Sequence, residues 1–566
     1  IARIEIIRGP GSAVFGADAF AGVINIMTKT KEDIEGTETG FRIGRFDTQN
    51  AWLLHGSSWR DFDMALTLEY HQTDGHQELI DIDAQTYYDN FFGTDASLAP
   101  GPINLQRRNL DARLDISKEN WQFRAGYQGR DNFGTGTGGA QALDPQGRFV
   151  NNRLNADLTY HNAQLIDNWD LTAQIAHFKS SYRPTRDIIL FPPGAFGGLY
   201  PEGFIGNPGV SERQTRFSLS GFYTGFEKHM IRFGTGYYYG DLYDVVHFAN
   251  YGINPKTGVM LPPGSRLVDL SDTPYAFLPE KIRKNWYLFL QDAWRFAAGW
   301  ELTAGVRYDN YSDFGSTLNP RLALVWQTRP NLTTKLLYGH AFRAPSFQEL
   351  YNINNPVALG NAHLEPETIE TGELAFDYQV PTRDLRFALN LFTYKWSDAI
   401  LFSPNPAGTT FVAQNVGSQK GHGLELEAKW KISPKINLSG NYAFQNSTDE
   451  ETDHDAGNAP HHSAYLRTDW LFLPQWLFNA QLNWIADRQR VYSDPRAPID
   501  DYTTLDLTLR RQDIKQHWDL AVSVRNVLDN EVREPSPGPD VEGIIGIPHD
   551  IPSAGRHYFI ELRYHF

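Results

Sequence analysis

Six acidic or imidazole side chains crowd into one short stretch, Asp449, Glu450, Glu451, Asp453, His454 and Asp455. Oxygen ligands of this kind suit a hard cation such as calcium, although a charge run is more often a solvated loop, and that is the favoured reading. His461 and His462 follow Pro460, but neighbouring strand residues point to opposite faces and do not share a metal. The chain has no cysteine, which excludes thiolate metal sites and thiol nucleophiles. A glycine-rich GTGTGG runs over 134–139, yet no helix follows to receive a phosphate. With neither G-x-S-x-G nor H-E-x-x-H present, no enzyme, resident metal or cofactor is expected. What stands out instead is aromatic: Tyr87, Tyr88, Phe91 and Phe92, then Phe191, Phe196, Tyr200 and Phe204, then Tyr243, Phe248 and Tyr251. Such rings could stack on a planar or aromatic-bearing metal chelate. They serve more commonly as the small cores of their own loops.

The elements that would position these residues read almost entirely as strands. In the run 300–308, Trp300, Leu302, Ala304, Val306 and Tyr308 alternate with Glu301, Thr303, Gly305 and Arg307. The split recurs as Leu424, Leu426, Ala428 and Trp430 against Glu425, Glu427 and Lys429, and as Leu505, Leu507 and Leu509 against Asp506, Thr508 and Arg510. Period two over many residues makes one face for hydrocarbon and one for water. About twenty-two such strands can be traced from Thr37 to Phe566, including segments at 152–161, 212–224 and 300–310. Their connections mostly alternate between tight turns, such as Arg60-Asp61, and long loops, such as 72–107 and 527–554. That alternation and an even count match the two rims of a closed membrane barrel. Trp121, Trp169, Trp300, Trp476 and Trp518 each stand just after a tight turn, where an aromatic belt at one interface places its indoles.

Composition permits this architecture and removes others. The mean hydropathy is -0.45 with 41% hydrophobic residues, and every apolar run is interrupted well before the roughly 18 residues a spanning helix needs. A barrel's lipid face uses every second residue, so its sequence averages hydrophilic. A formal charge of -16 without a basic stripe argues against a nucleic-acid partner. The expected fold class is all-β, a 22-stranded antiparallel transmembrane barrel.

Four stretches carry a family resemblance across essentially the whole chain. The opening IARIEIIRGPGSAVFGADAFAGVINIMTKT closely resembles the end of the plug domain of TonB-dependent receptors, with Arg8-Gly9-Pro10, Gly16 and Gly22-Val23-Ile24-Asn25-Ile26 in the family's order. The others are YGHAFRAPSFQELY with GNAHLEPETIETGEL, then NVGSQKGHGLELEAKW, then LAVSVRNVLDNEV. The final stripe of Tyr558, Ile560, Leu562, Tyr564 and Phe566 resembles the signal read by the outer-membrane assembly machinery, carried by Tyr564 and Phe566.

The resemblance implies residues 1–33 as the C-terminal part of a plug and 34–566 as the barrel. It implies that a further plug portion, including the segment that binds the TonB–ExbB–ExbD energy-coupling complex, precedes Ile1. The expected setting is the outer membrane of a Gram-negative bacterium, with the barrel a monomer among outer-membrane lipids. The expected activity is TonB-dependent import of a scarce metal chelate, a ferric siderophore by family base rate, with cobalamin or haem receptors and a passive porin as alternatives. Haem is disfavoured, because only His363 lies in the loop after FRAP, at a position where the family motif usually has Asn. Carried over by resemblance, Arg8 is the plug arginine, and Glu373 with Glu425 or Glu427 are the barrel carboxylates it would face.

Overall fold

A computed structural model describes every residue except Pro10, Asp18, Glu35, 406–409 and Val541; Pro10 of the Arg8-Gly9-Pro10 motif therefore lies outside the described residues. The chain forms a closed barrel of 22 long antiparallel strands. It begins with Thr37–Gly44 and Thr48–Trp59, ends with Trp518–Arg525 and His557–His565, and closes by pairing the first strand with the last, Glu38 opposite His565 through Gly44 opposite Phe559. A closed barrel satisfies every backbone donor and acceptor between neighbours, the condition for crossing hydrocarbon with strands.

The alternation read in the sequence sets the two surfaces. Val306, Leu318, Leu322, Leu336 and Leu426 are exposed on the outside, whereas Arg307 and Asp309, one residue out of phase, are buried within. All five predicted belt tryptophans are the first residues of their strands, Trp121–Gly134, Trp169–Arg186, Trp300–Tyr311, Trp476–Arg488 and Trp518–Arg525. The tight turn before Phe62 places Arg60 at φ +54°.

Several strands extend beyond the expected bounds, at the long-loop end and in one case also toward the tight turn before Trp169. The segment expected at 152–161 is Arg148–Ile166, and that expected at 212–224 is Phe204–Tyr223. Above the bilayer no hydrocarbon demands alternation, so the apolar signal fades while the hydrogen-bond ladder continues. The apolar cores lie in the long loops and at the loop-side ends of the strands. Ile80, Ile103, Leu143 and Ile547, from three different long loops, form one; Leu350, Leu364, Ile400 and Ala413 form another. Helix Ala84–Phe92, capped by Asp83 accepting from the Thr86 amide, lies in the first long loop, where a period-two reading does not find it.

Residues 1–33 run inside the barrel. Arg3–Arg8 and Gly22–Met27 pair as an antiparallel hairpin, and between them the short helix Ser12–Phe15 lies against strands Trp300–Tyr311 and Leu332–Arg343.

Candidate functional site

The lumenal segment touches the inner wall at two places of different character. At the first, Arg8 Nη1 lies 2.8 Å from Glu425 Oε2, and Arg8 Nη2 donates to Glu427 Oε2 at 3.3 Å. Both glutamates come from strand Phe411–Ser433, two residues apart and so on one face. The Glu425 contact is an ion pair outside hydrogen-bond geometry, since that oxygen has no hydrogen-bond donor. The Arg8 side chain is 44% exposed, so water screens the pair. Glu373 does not follow the expected pattern. It accepts from Asn390 Nδ2 at 2.9 Å and packs against the backbone of Gly9, whose φ of +68° and lack of Cβ allow the approach. Arg8 thus meets the two carboxylates of one strand, and Glu373 braces the neighbouring Gly9.

The second contact is dry. Arg307 and Asp309, again two apart on strand Trp300–Tyr311, form a double hydrogen bond at 2.7 and 2.9 Å with side chains 6% and 0% exposed. The Arg307 guanidinium lies 3.7 Å above the Tyr287 ring, Asn285 donates to Asp309, and Arg307 Nη1 donates to the Val14 carbonyl at 3.1 Å. Gly16, at φ +82°, sits where a Cβ would come within 2.9 Å of the guanidinium. Sequence reasoning placed Arg307 in the lumen without assigning it a role. The one signal was the R-x-D spacing, which puts a cation and an anion on the same face of a strand.

Two cavities flank these contacts. One of about 760 Å³ separates the hairpin from the wall and is lined by Ile6, Phe20, Ile369, Phe392 and Trp396. The other, of about 680 Å³, lies over Val14–Ala17 and is lined by Glu212, Arg216, Arg283, Tyr287 and Phe347.

The resemblance motifs interlock at the rim. Arg343 of FRAP binds Glu367 at 2.7 and 2.8 Å and Glu349 at 3.0 Å, holding the turn that carries Phe347. Asn415 of NVGSQKG accepts from the Glu365 amide and donates back to the Glu365 carbonyl, both at 2.9 Å. Asn526 of RNVLDN donates to the Asn530 carbonyl and accepts from its amide, closing that turn on itself.

The loop aromatics divide into two sets. Tyr88 packs edge-on against Phe191 and Phe196, Phe196 meets Tyr200 and Phe204, and Phe204 stacks on Tyr251 at 4.3 Å. Tyr87, Phe91 and Phe92 project from helix Ala84–Phe92 at 46%, 73% and 45% exposure. In the acidic run, Asp449 accepts from the Glu451 and Thr452 amides, and Asp455 and Asp487 lie 2.6 and 2.8 Å from the two nitrogens of His461. Among the described residues no group of three or more such side chains could hold a metal ion. Tyr564 packs against Trp518 and Phe566, at ring separations of 4.5 Å.

Above the barrel, Arg490 and Arg496 join two loops. Arg490 lies 2.5 Å from Asp550, and Arg496 lies 2.5 Å from Asp494 and 3.4 Å from Asp550, with all four side chains almost wholly buried. Burial pushes the Asp494 and Asp550 carboxyls toward protonation, but hydrogen bonds from the arginines and the backbone, together with the arginine charges, outweigh it and hold both below the usual carboxylate range. His247, 2% exposed against Phe277, is lowered by desolvation to about 4.

Comparison with known proteins matches residues 86–527 to the family described as TonB dependent receptor-like, beta-barrel. An iron-regulated outer membrane virulence protein of Vibrio cholerae is 26% identical over 86% of this chain and 66% of its own length. The chain thus spans about two thirds of that relative. The vitamin B12 transporter BtuB of Vibrio cholerae is 22% identical over 100% of this chain and 79% of its own. Among solved structures, the ferric enterobactin receptor PfeA of Pseudomonas aeruginosa superposes with a TM-score of 0.74 at 18% identity, covering 100% of this chain and 85% of that one.

Proposed function

The chain belongs to the TonB-dependent receptor family, and from that premise we propose that it imports a scarce metal chelate, a ferric siderophore, across the outer membrane by energy coupled through TonB–ExbB–ExbD. The observation that carries the reading is the lumenal segment fastened to the inner wall at Arg8 and Arg307. A passive pore has no use for an obstruction held by charge. A gated transporter needs one that can be released. Residues 1–33 act as part of the plug and 34–566 as the barrel, with Arg8, Glu425 and Glu427 as the releasable latch and Glu373 bracing it through Gly9. Tyr87, Phe91 and Phe92 are the loop rings free to meet cargo.

The relatives' names support a metal-linked cargo: one is iron-regulated, and one solved neighbour is a ferric enterobactin receptor. The B12 transporter match over the whole chain keeps cobalamin as the second reading. Growth of a deletion strain on single iron sources, with a cobalamin-dependent arm and a haem arm, tests this. Loss confined to one ferric chelate is expected. Loss confined to cobalamin or haem transfers the cargo to that class. Growth that persists without TonB overturns active import.

A further inference from the structure

We propose that the outer wall of the barrel carries a binding site for the phosphorylated headgroup of an outer-leaflet lipid, formed by Lys179, Arg213 and Tyr243 with Lys284 at its flank. The site follows from three successive rows of residues across four neighbouring strands. The lowest row runs Ile175, Phe217, Tyr237 and Trp286, each opposite the next and 45–52% exposed to lipid. Two residues higher stand His177, Thr215, Tyr239 and Lys284; two higher again stand Lys179, Arg213, Asp241 and Ile282. On two adjoining strands the apolar residues Ile175 and Phe217 therefore give way to the cations Lys179 and Arg213, between the exposed Leu154 on one side and Ile282 on the other. At about 3.3 Å per residue and a tilt near 45°, each residue of the upper rows stands about 5 or 9 Å above the apolar residue on its own strand. A headgroup layer about 5–7 Å deep lies there, within reach of long basic side chains.

The charges at this level do not balance within the protein. Lys179 and Arg213 face each other directly, an arrangement that repels unless an anion intervenes. Asp241 serves Arg213, at 2.7 and 3.0 Å. Tyr243 offers its ring face to both cations, 4.9 Å from Arg213 and 5.9 Å from Lys179. Among the described residues, Lys179 and Lys284 have no carboxylate within ion-pair distance. A second opposed pair on the outer wall, Lys395 and Lys420, differs in this respect, because Glu450 lies 3.4 Å from Lys395. A phosphate monoester bound to a lipid at this depth supplies the missing negative charge, and the adjoining Ile175 and Phe217 receive the acyl chains.

The test uses the whole chain in detergent free of phospholipid, with retained lipid counted by native mass spectrometry. The probes are a diphosphorylated glycolipid, its dephosphorylated counterpart and inorganic phosphate. Lys179→Gln with Lys284→Gln is expected to lower retention of the diphosphorylated lipid about 30-fold, as two juxtamembrane cations would. Lys179→Arg should retain it, and Lys395→Gln with Lys420→Gln should leave it unchanged. Equal retention by the Lys179/Lys284 variant, equal retention of the dephosphorylated lipid, or equal loss in the Lys395/Lys420 control overturns the site. Competition by millimolar inorganic phosphate would show an anion site that does not need lipid, and overturns the lipid assignment. None of these readouts involves cargo, so the site stands or falls apart from the transport reading.

Discussion

Arg8 and Arg307 hold the same segment through similar chemistry in opposite solvent environments, and this difference predicts unequal effects. Breaking a buried pair by removing one partner costs about 3–5 kcal/mol, so Arg307→Gln should sharply raise hydrogen exchange across residues 12–17. Arg8→Gln, or Glu425→Ala with Glu427→Ala, removes a wet pair worth about 1 kcal/mol. Exchange should then rise mainly at residues 3–8, with barrel heat stability nearly unchanged. If the two arginines loosen the same amides equally, the distinction between dry clamp and wet latch is lost. The loop groups give a pH dependence with one sign. Asp494 and Asp550 have folded-state pKa values below their unfolded ones, so their stabilisation is present above the ordinary carboxylate range and is lost as pH falls through the folded values. His247, at about 4 when folded, contributes fully above its unfolded value near 6.5 and loses that contribution between there and 4. Acid-protease nicking of the loops at 489–501 and 526–556 should therefore rise only below about pH 4, the ordinary carboxylate range, whereas nicking around 250–280, beside His247, should rise between about pH 6.5 and 4. Nicking of the first two loops that begins well above the carboxylate range, or nicking around 250–280 that stays flat from about pH 7 to 4, would contradict this. At this scale the sequence was only partly readable. Parity placed Glu425 and Glu427 inward, on the same strand whose Leu424 and Leu426 must face lipid. Nothing in parity told Glu373 to brace Gly9, or told Arg307 that it would meet a backbone carbonyl 293 residues away.

Among the elements, strands were legible because the bilayer enforces the period, and loops were not because nothing does. Strand Trp300–Tyr311 illustrates the first case. Leu302 shares its face with Val306, and Thr303 shares its face with the inward Arg307. An arginine at a mid-bilayer lipid position costs about 2–4 kcal/mol, so Leu302→Arg should lower folding stability by that amount while Thr303→Arg is tolerated. Equal losses in a denaturant titration would mean the register is wrong. The aromatic loops illustrate the second case, since the sequence could not say which rings pack and which project. Phe196 touches Tyr88, Phe191, Tyr200 and Phe204, so Phe196→Ala should loosen the loops around 84–92 and 189–206 at a cost of about 3–5 kcal/mol. Phe91→Ser, at a ring 73% exposed, should leave those loops intact and register only in cargo affinity. A Phe91→Ser variant that unfolds the helix would return that ring to a structural role.

The whole molecule is uneven in height. Leu385–Pro404 and Phe411–Ser433 are 20 and 23 residues long, whereas Thr37–Gly44, Trp518–Arg525 and His557–His565, which meet at the closure, are 8, 8 and 9. The sequence led to the expectation that the ends meet, because an even count of strands is usual for a closed single-chain barrel. It could not show how low the wall would be there. The joint is compensated from inside by Glu561, 5% exposed, which accepts from Arg42 of the first strand and from Arg510 and Arg563. Its outer surface has no such compensation. Eight tilted residues span about 19 Å, short of the roughly 25 Å apolar band usual for such barrels. Membrane thickness is therefore not felt uniformly around the circumference: acyl chains beside the closure must shorten while those beside the tall wall need not. The barrel should pinch the bilayer along one flank only and favour thinner membrane on that side. In vesicles of increasing acyl length, amide exchange should accelerate first at residues 37–44 and 557–565 and last at 385–404. A uniform response around the ring would mean that the low wall imposes no thickness preference of its own.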